Sequence, residues 1–221
     1  MDEHYDGHGP THTGDGDGET ETRIMDAAHE VFVRRGTAGA RMQEIADVAG
    51  VNKALLHYYY RSKDRLADAV FARAARLLLP PVLSTLASEL PLEEKVERAI
   101  GLYLSALSRT PGLPIYLLSE MHHHPGRLGG LIERVAGGGI QRVAPAILNR
   151  LGAQIEEQVR LGTMRPIAPE QFVVNLASLC VFPFAARPLI TAMVGGDDGW
   201  ERFLEERRRT LPAFFLAGLR P

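Results

Sequence analysis

The chain has 221 residues, of which 45% are hydrophobic and 24% charged; these are globular values and exclude a wholly disordered or fibrous chain. Its formal net charge of -2 hides an asymmetry, because residues 1–21 hold seven acids (Asp2, Glu3, Asp6, Asp15, Asp17, Glu19, Glu21) and no lysine or arginine, leaving 25 bases against 20 acids in the rest. The body is therefore mildly basic, which permits a nucleic-acid surface without requiring one. A single cysteine, Cys180, cannot form an internal disulfide, and its setting between Leu179 and Val181 is that of a small core hydrophobe; a reducing, cytoplasmic home is expected. The acidic, glycine-rich start offers no export signal. The longest apolar run, Phe172 to Ala186, contains Asn175, Ser178 and Pro183 and is shorter than the roughly 20 residues a membrane span needs, so it reads as buried helix.

In chain order, residues 1–19 alternate Gly, Asp, His and Thr with almost nothing to bury and are expected to be a disordered acidic tail. His4, His8 and His12 recur every four residues, but Gly7, Gly9 and Pro10 oppose the helix that would align them, so a solvated tail is the expected reading. Beyond it the 3.6-residue period recurs to the C-terminus and predicts an all-α protein. A first helix from Thr20 to Arg35 buries Ile24, Ala27, Ala28, Val31 and Phe32 and stops at Gly36. Short helices over Met42–Ala49 and from Asn52, as N-cap, to Tyr58 flank Gly50. Ser62 caps the next helix, with Leu66, Val70, Ala74 and Leu77 as its stripe and Pro80-Pro81 as its expected end. Apolar-periodic segments follow at Leu92–Ser108, Leu113–His123, Leu128–Leu161, Pro169–Met193 and Trp200–Leu219. This divides the chain into a helical N-terminal domain, 20–66, and a larger helical domain, 67–221, with the helix from Lys63 long enough to serve both.

Short helix, Gly50-Val51 turn, short helix is helix-turn-helix spacing, in which the second helix enters the major groove. Lys53 and His57 share one face of that helix, Val51 and Leu56 can anchor it on Ile45 and Phe32, and Arg41, Lys53, Arg61, Lys63 and Arg65 outnumber Glu44, Asp47 and Asp64 around it. The series Ile45-Ala46, Ala49-Gly50-Val51-Asn52-Lys53, Leu56, Tyr58, Tyr60, Ser62-Lys63 and Leu66, preceded by Arg23 to Ala28 and by Phe32 with Gly36, resembles the N-terminal domain of the tetracycline-repressor (TetR/AcrR) family. The resemblance covers about Arg23 to Val70; the remainder agrees in length and helical pattern only. It implies base-edge roles for Lys53, Ala54 and His57, backbone-phosphate roles for Arg41, Asn52, Tyr58, Tyr59 and Lys63, and a core place for Tyr60. Three residues depart from the family's usual ones. Arg41 stands where a hydroxyl cap is common, Leu55 where Thr is common, and His57 where Tyr is common, so a cap, a hydrogen bond and a pH-independent contact are each in question.

Other constellations carry less. Consecutive His122, His123 and His124 point about 100° apart on a helix, and no Glu-x-x-His pairing surrounds them, so no metal is expected. The glycines at 129–130 and 137–139 lack the strand and spacing of a dinucleotide loop. No nucleophile has a credible base beside it; neither enzymatic activity nor a cofactor is expected. Phe172, Leu176 and Leu179, with Phe203, Leu211 and Phe214, are candidate dimer contacts, as the family's pairing of its last two long helices implies. Tyr103, Leu107, Tyr116, Ser119, His122, His123 and Asn175 are candidate lining of an apolar pocket with sparse polar fixtures. The reading that results is a homodimeric regulator, a repressor of a palindromic operator released by a small hydrophobic or amphipathic effector. A DNA-binding architectural protein without ligand, and a helical carrier or enzyme with a vestigial N-terminal domain, stay open as alternatives.

Overall fold

The structure, a computed structural model, describes residues 14–123, 126 and 140–221, and among them it contains ten α-helices and no strand. The chain separates into two compact units, one through Val70 and one from Phe71 to Pro221.

In the first unit, α1 spans Gly14–Gly39 with a non-helical Gly36 at φ 66°. The helix begins at Gly14, earlier than the expected Thr20; residues 1–13, with His4, His8 and His12, lie outside the described residues. Two causes favour the longer helix. Acidic side chains at 17 and 19 complement the helix dipole, and the carboxylates of Asp17 and Glu21 accept hydrogen bonds from Tyr59 and Tyr60. Ile24, Ala28, Val31 and Phe32 form its buried stripe, against which α2, Met42–Ala49, packs through Ile45, Ala46 and Ala49. Arg34 and Arg35 both reach Glu44 of α2, at 3.1 and 2.7 Å. α3, Lys53–Tyr59, buries only Leu56.

α4 runs from Lys63 to Ala87 and passes through Pro80 and Pro81 instead of ending there. Each proline deprives the carbonyl four residues earlier of its donor, here those of Arg76 and Leu77. Both residues are exposed, so water can satisfy these groups, while Leu78, Val82 and Leu86 keep the opposite face buried. Leu78, not the expected Leu77, continues the buried stripe: Leu77 is 52% exposed. By length and composition alone α4 is also the one described helix apolar enough to cross a membrane, but half of its apolar window is buried within the chain.

The second unit adds α5 (Leu92–Arg109), α6 (Leu113–His123), α7 (Ile140–Arg160), α8 (Pro169–Ala185), α9 (Arg187–Val194) and α10 (Asp197–Ala217). α5 packs on α8 and α10, and α8 also meets α6 and α7. The expected single helix from Pro169 to Met193 is two, bent by 73° at Ala186. Pro188 has no N–H to carry the α8 ladder on to the Phe184 carbonyl, and Trp200 fixes the corner. Its ring lies 5.4 Å from that of Phe184 and beneath the Arg187 guanidinium.

Lys95 is fully buried; its ammonium donates to the Leu86 carbonyl at 2.9 Å and to Gln154 Oε1 at 2.7 Å, while Gln154 Nε2 donates to the Leu90 carbonyl. This network ties the α4–α5 connection to α7, and nothing in the periodicity of α5 announces it beyond a charge on an apolar stripe.

Candidate nucleic-acid interface and ligand cavity

The turn between α2 and α3 is set by two residues. Gly50 adopts the left-handed conformation, φ 65° and ψ 33°, which costs a side-chain-bearing residue free energy, and the Val51 N–H then reaches back to the Ala46 carbonyl at 3.0 Å. Asn52 caps α3, its side-chain oxygen accepting from the Leu55 N–H at 2.7 Å. With Leu56 as the single buried anchor, the rest of α3 faces outward: Lys53, Ala54, His57 and Tyr58 are all exposed, Tyr58 by 78%. Arg41 is exposed on extended backbone and caps nothing. Lys53, His57 and Arg41 make no ion pair or hydrogen bond among the described residues. The neighbouring acids are occupied, Glu44 by Arg34 and Arg35 and Asp47 by Gln43.

Three expected phosphate-contacting residues have internal tasks. Asn52 spends its oxygen on the cap. Lys63 donates to the carbonyls of Ala38 and Ala40 at 3.1 and 3.2 Å, tying the C-terminal end of α1 to the start of α4, where Ser62 Oγ accepts from the Arg65 N–H; one N–H of the ammonium is left for other partners. The Tyr59 hydroxyl donates to Asp17 Oδ1 at 2.9 Å, and this hydrogen bond, with burial second, holds the phenol above its usual range. Tyr60, expected in the core, is 8% exposed and donates to Glu21 Oε1 at 2.9 Å. The spacing of the motif carried no sign of either acid.

The second unit contains a cavity of about 430 Å³. It is lined by Leu79, Leu83 and Leu86 of α4, Tyr103 of α5, Met121 of α6, Val143, Ile147 and Leu148 of α7, and Glu170, Val173 and Val174 of α8. Of the expected lining residues only Tyr103 is there. Its phenol is pushed up to about 12, chiefly by burial, and has no hydrogen-bond partner among the described residues. Leu107 and Tyr116 are enclosed in side-chain packing, Tyr116 against Phe71. His122 and His123 are exposed and stacked edge to face at the end of α6. His123 Nδ1 lies 2.8 Å from the Ser119 carbonyl, a contact that requires the proton on that nitrogen. Met121, itself 38% exposed, borders this cavity where the two histidines do not. Asn175 instead borders a crevice of about 440 Å³ between α8 and the C-terminal end of α10, with Ser178, Leu179 and Phe214.

The expected dimer residues divide in the same way. Phe172, Leu176 and Leu211 are already buried within the chain, Phe172 edge to face with Phe215, and have no surface to give a partner. Leu179 and Phe203 are half-buried, and Phe214 is 67% exposed. Phe182 on the same helix is 60% exposed. Between α8 and α10, Arg207 Nη2 donates to the Leu179 carbonyl at 2.6 Å, with its guanidinium over the Phe203 ring. That carbonyl lacks a helical donor because Pro183 stands four residues on. Cys180 beside it is fully buried, and burial pushes its thiol up to about 12.

Residues 24–70 match the family described as bacterial regulatory proteins, tetR family. The chain is 30% identical over 130 residues to an uncharacterized HTH-type transcriptional regulator of Mycobacterium tuberculosis, covering 59% of this chain and 62% of that relative. It is 25% identical over 201 residues to the HTH-type transcriptional regulator RutR of Escherichia coli K12, covering 90% and 89%. Among solved structures, the ketosteroid transcriptional regulator KstR2 of Mycobacterium tuberculosis superposes with a TM-score of 0.63 at 15% identity, over 96% of this chain and 98% of that one. A HlyIIR mutant protein superposes with a TM-score of 0.60 at 21% identity, over 92% and 98%. The helix-turn-helix described above thus lies in a segment that matches the tetR family of bacterial regulatory proteins, and the helical fold is shared with these solved structures along the chain.

Proposed function

We propose that this chain is a cytoplasmic, homodimeric, sequence-specific DNA-binding regulator without enzymatic activity, a repressor released from a palindromic operator by a small hydrophobic or amphipathic ligand. The observation that carries the reading is the state of α3: a helix held by one buried leucine, a glycine turn and an asparagine cap, with Lys53 and His57 exposed and without internal partners. Such a surface suits base edges, while Arg41 at its flank suits phosphate. The apolar cavity supports the ligand arm, and the ligand acts by binding the DNA-incompetent state more tightly, the coupling being no larger than that difference. The exposed Phe182 and Phe214, with Leu179 and Phe203, supply the dimer face.

Selection of bound fragments from genomic DNA, followed by anisotropy titrations over a salt series, tests the DNA arm. Lys53→Ala is expected to relax preference at one or two base positions, each worth about 1–3 kcal/mol. Arg41→Ala is expected to weaken all sequences alike and to lower the salt slope by about 1. If neither substitution alters binding to the selected operator, the reading is wrong.

A further inference from the structure

We infer that the cavity of the second unit selects lipophilic cations and rejects carboxylates and phosphates. The inference rests on the reading that this cavity is the ligand site, and goes beyond it by assigning the sign of the ligand's charge. Among the described lining residues there is no lysine, arginine or histidine, and the one carboxylate is Glu170. Glu170 stands in the first turn of α8, where the helix dipole favours negative charge, and it makes no ion pair or hydrogen bond among the described residues. Glu170 is exposed at the cavity edge, and among the described residues no cation answers its charge. An ionised ligand entering a hydrocarbon lining loses hydration and must be paired there. A cation finds Glu170; among the described lining residues an anion finds no cationic side chain.

Two further side chains favour the same sign. The face of the Tyr103 ring is the negative end of an aromatic quadrupole and attracts a cation within about 6 Å, and burial keeps the phenol protonated, so it competes with no positive charge. Met121 adds a polarizable thioether. The remainder, from Leu79 to Ile147, offers only apolar area, so the cation must be carried on a lipophilic body.

The experiment uses the purified full chain and three compounds of closely similar shape: tetraphenylphosphonium, tetraphenylborate and neutral triphenylphosphine oxide, titrated calorimetrically against wild type, Glu170→Gln and Ile147→Trp. Wild type is expected to bind the phosphonium roughly tenfold or more tighter than the borate, a ratio that one charge at short range supplies at intermediate dielectric. Glu170→Gln should bring the two ions to within about twofold while leaving the neutral compound's affinity unchanged, a pattern set by the charge of one partner. Ile147→Trp should weaken all three by filling the cavity; Leu79→Trp, at a half-buried lining position, serves the same purpose if the first variant unfolds. If all three compounds bind alike and the tryptophan blocks them, the cavity is a ligand site and the charge inference fails. Equal or tighter binding of the borate, or a cation preference that survives Glu170→Gln, also overturns it. If no compound binds, or the tryptophan changes nothing, the ligand-site reading itself fails and takes this inference with it.

Discussion

Lys95 brings a charge into the core of the second unit and meets only two neutral oxygens. Burial without an anion lowers its pKa from the ordinary 10.5. The folded chain therefore gives up this proton more readily than the unfolded one. The cost of the buried charge is fully present below the folded pKa and disappears as pH rises from there towards the unfolded value, so this group's contribution to stability increases with pH in that window. The melting temperature of wild type minus that of Lys95→Met should grow as pH rises towards the ordinary value of 10.5; a flat or shrinking difference would show that Lys95 is not held below its ordinary value. The residue was legible in the sequence only as an irregularity, because its partners, Leu86, Gln154 and Leu90, lie on other elements. Lys63 teaches the converse. Its place in the motif is visible in the sequence, but its bonds to Ala38 and Ala40 depend on where α1 ends, which no local pattern records.

At the scale of elements, hydrophobic period and capping chemistry gave α2 and α3 to within a residue, since Gly50 and Asn52 act on their immediate neighbours, while α1 extends beyond the expected Thr20–Arg35 at both ends. Prolines were read less well. Pro80 and Pro81 were expected to end α4, and Pro183 lies inside α8, because a missing donor is tolerated wherever water or a side chain replaces it. For Pro183 the replacement is Arg207 on α10. Arg207→Met should cost about 1–3 kcal/mol by orphaning the part-buried Leu179 carbonyl. Pro183→Ala, which restores a backbone N–H to that carbonyl, should make the same Arg207→Met substitution less costly. A double-mutant cycle in denaturant measures the coupling; additive effects would mean that Arg207 does not replace the missing donor.

For the whole molecule, the candidate sites were legible in kind more than in residue. An apolar cavity and an apolar association face both follow from more hydrophobic helix surface than a bundle needs. Which side chain serves core, cavity or partner depends on helix phase and on where its neighbours stand, so Leu176 and Leu211 went to the core while Phe182 and Phe214 stayed outside. If the exposed face pairs two copies, Phe214→Glu or Phe182→Glu places an unpaired charge in an apolar contact. Either variant should be monomeric by light scattering at tens of micromolar, a concentration at which a stable dimer persists, and should bind a palindromic operator far more weakly than wild type. A dimer with both substitutions would move the interface elsewhere. Two reading helices separated by about 34 Å, one turn of DNA, are what such an operator requires.

The bond between Tyr59 and Asp17 gives DNA binding a cost on the protein side. A phosphate that takes the Tyr59 hydroxyl exchanges one anion for another and adds no hydrogen bond in net. The carboxylate it displaces belongs to the opening turns of α1, where Gly14, Gly16 and Gly18 confer weak helix propensity. Losing that tether frees the turn to fray, and the entropy released offsets part of that cost. If a phosphate takes the Tyr59 hydroxyl, operator binding and melting of the helix start become one linked equilibrium, and a partner that anchors residues 14–18 opposes DNA.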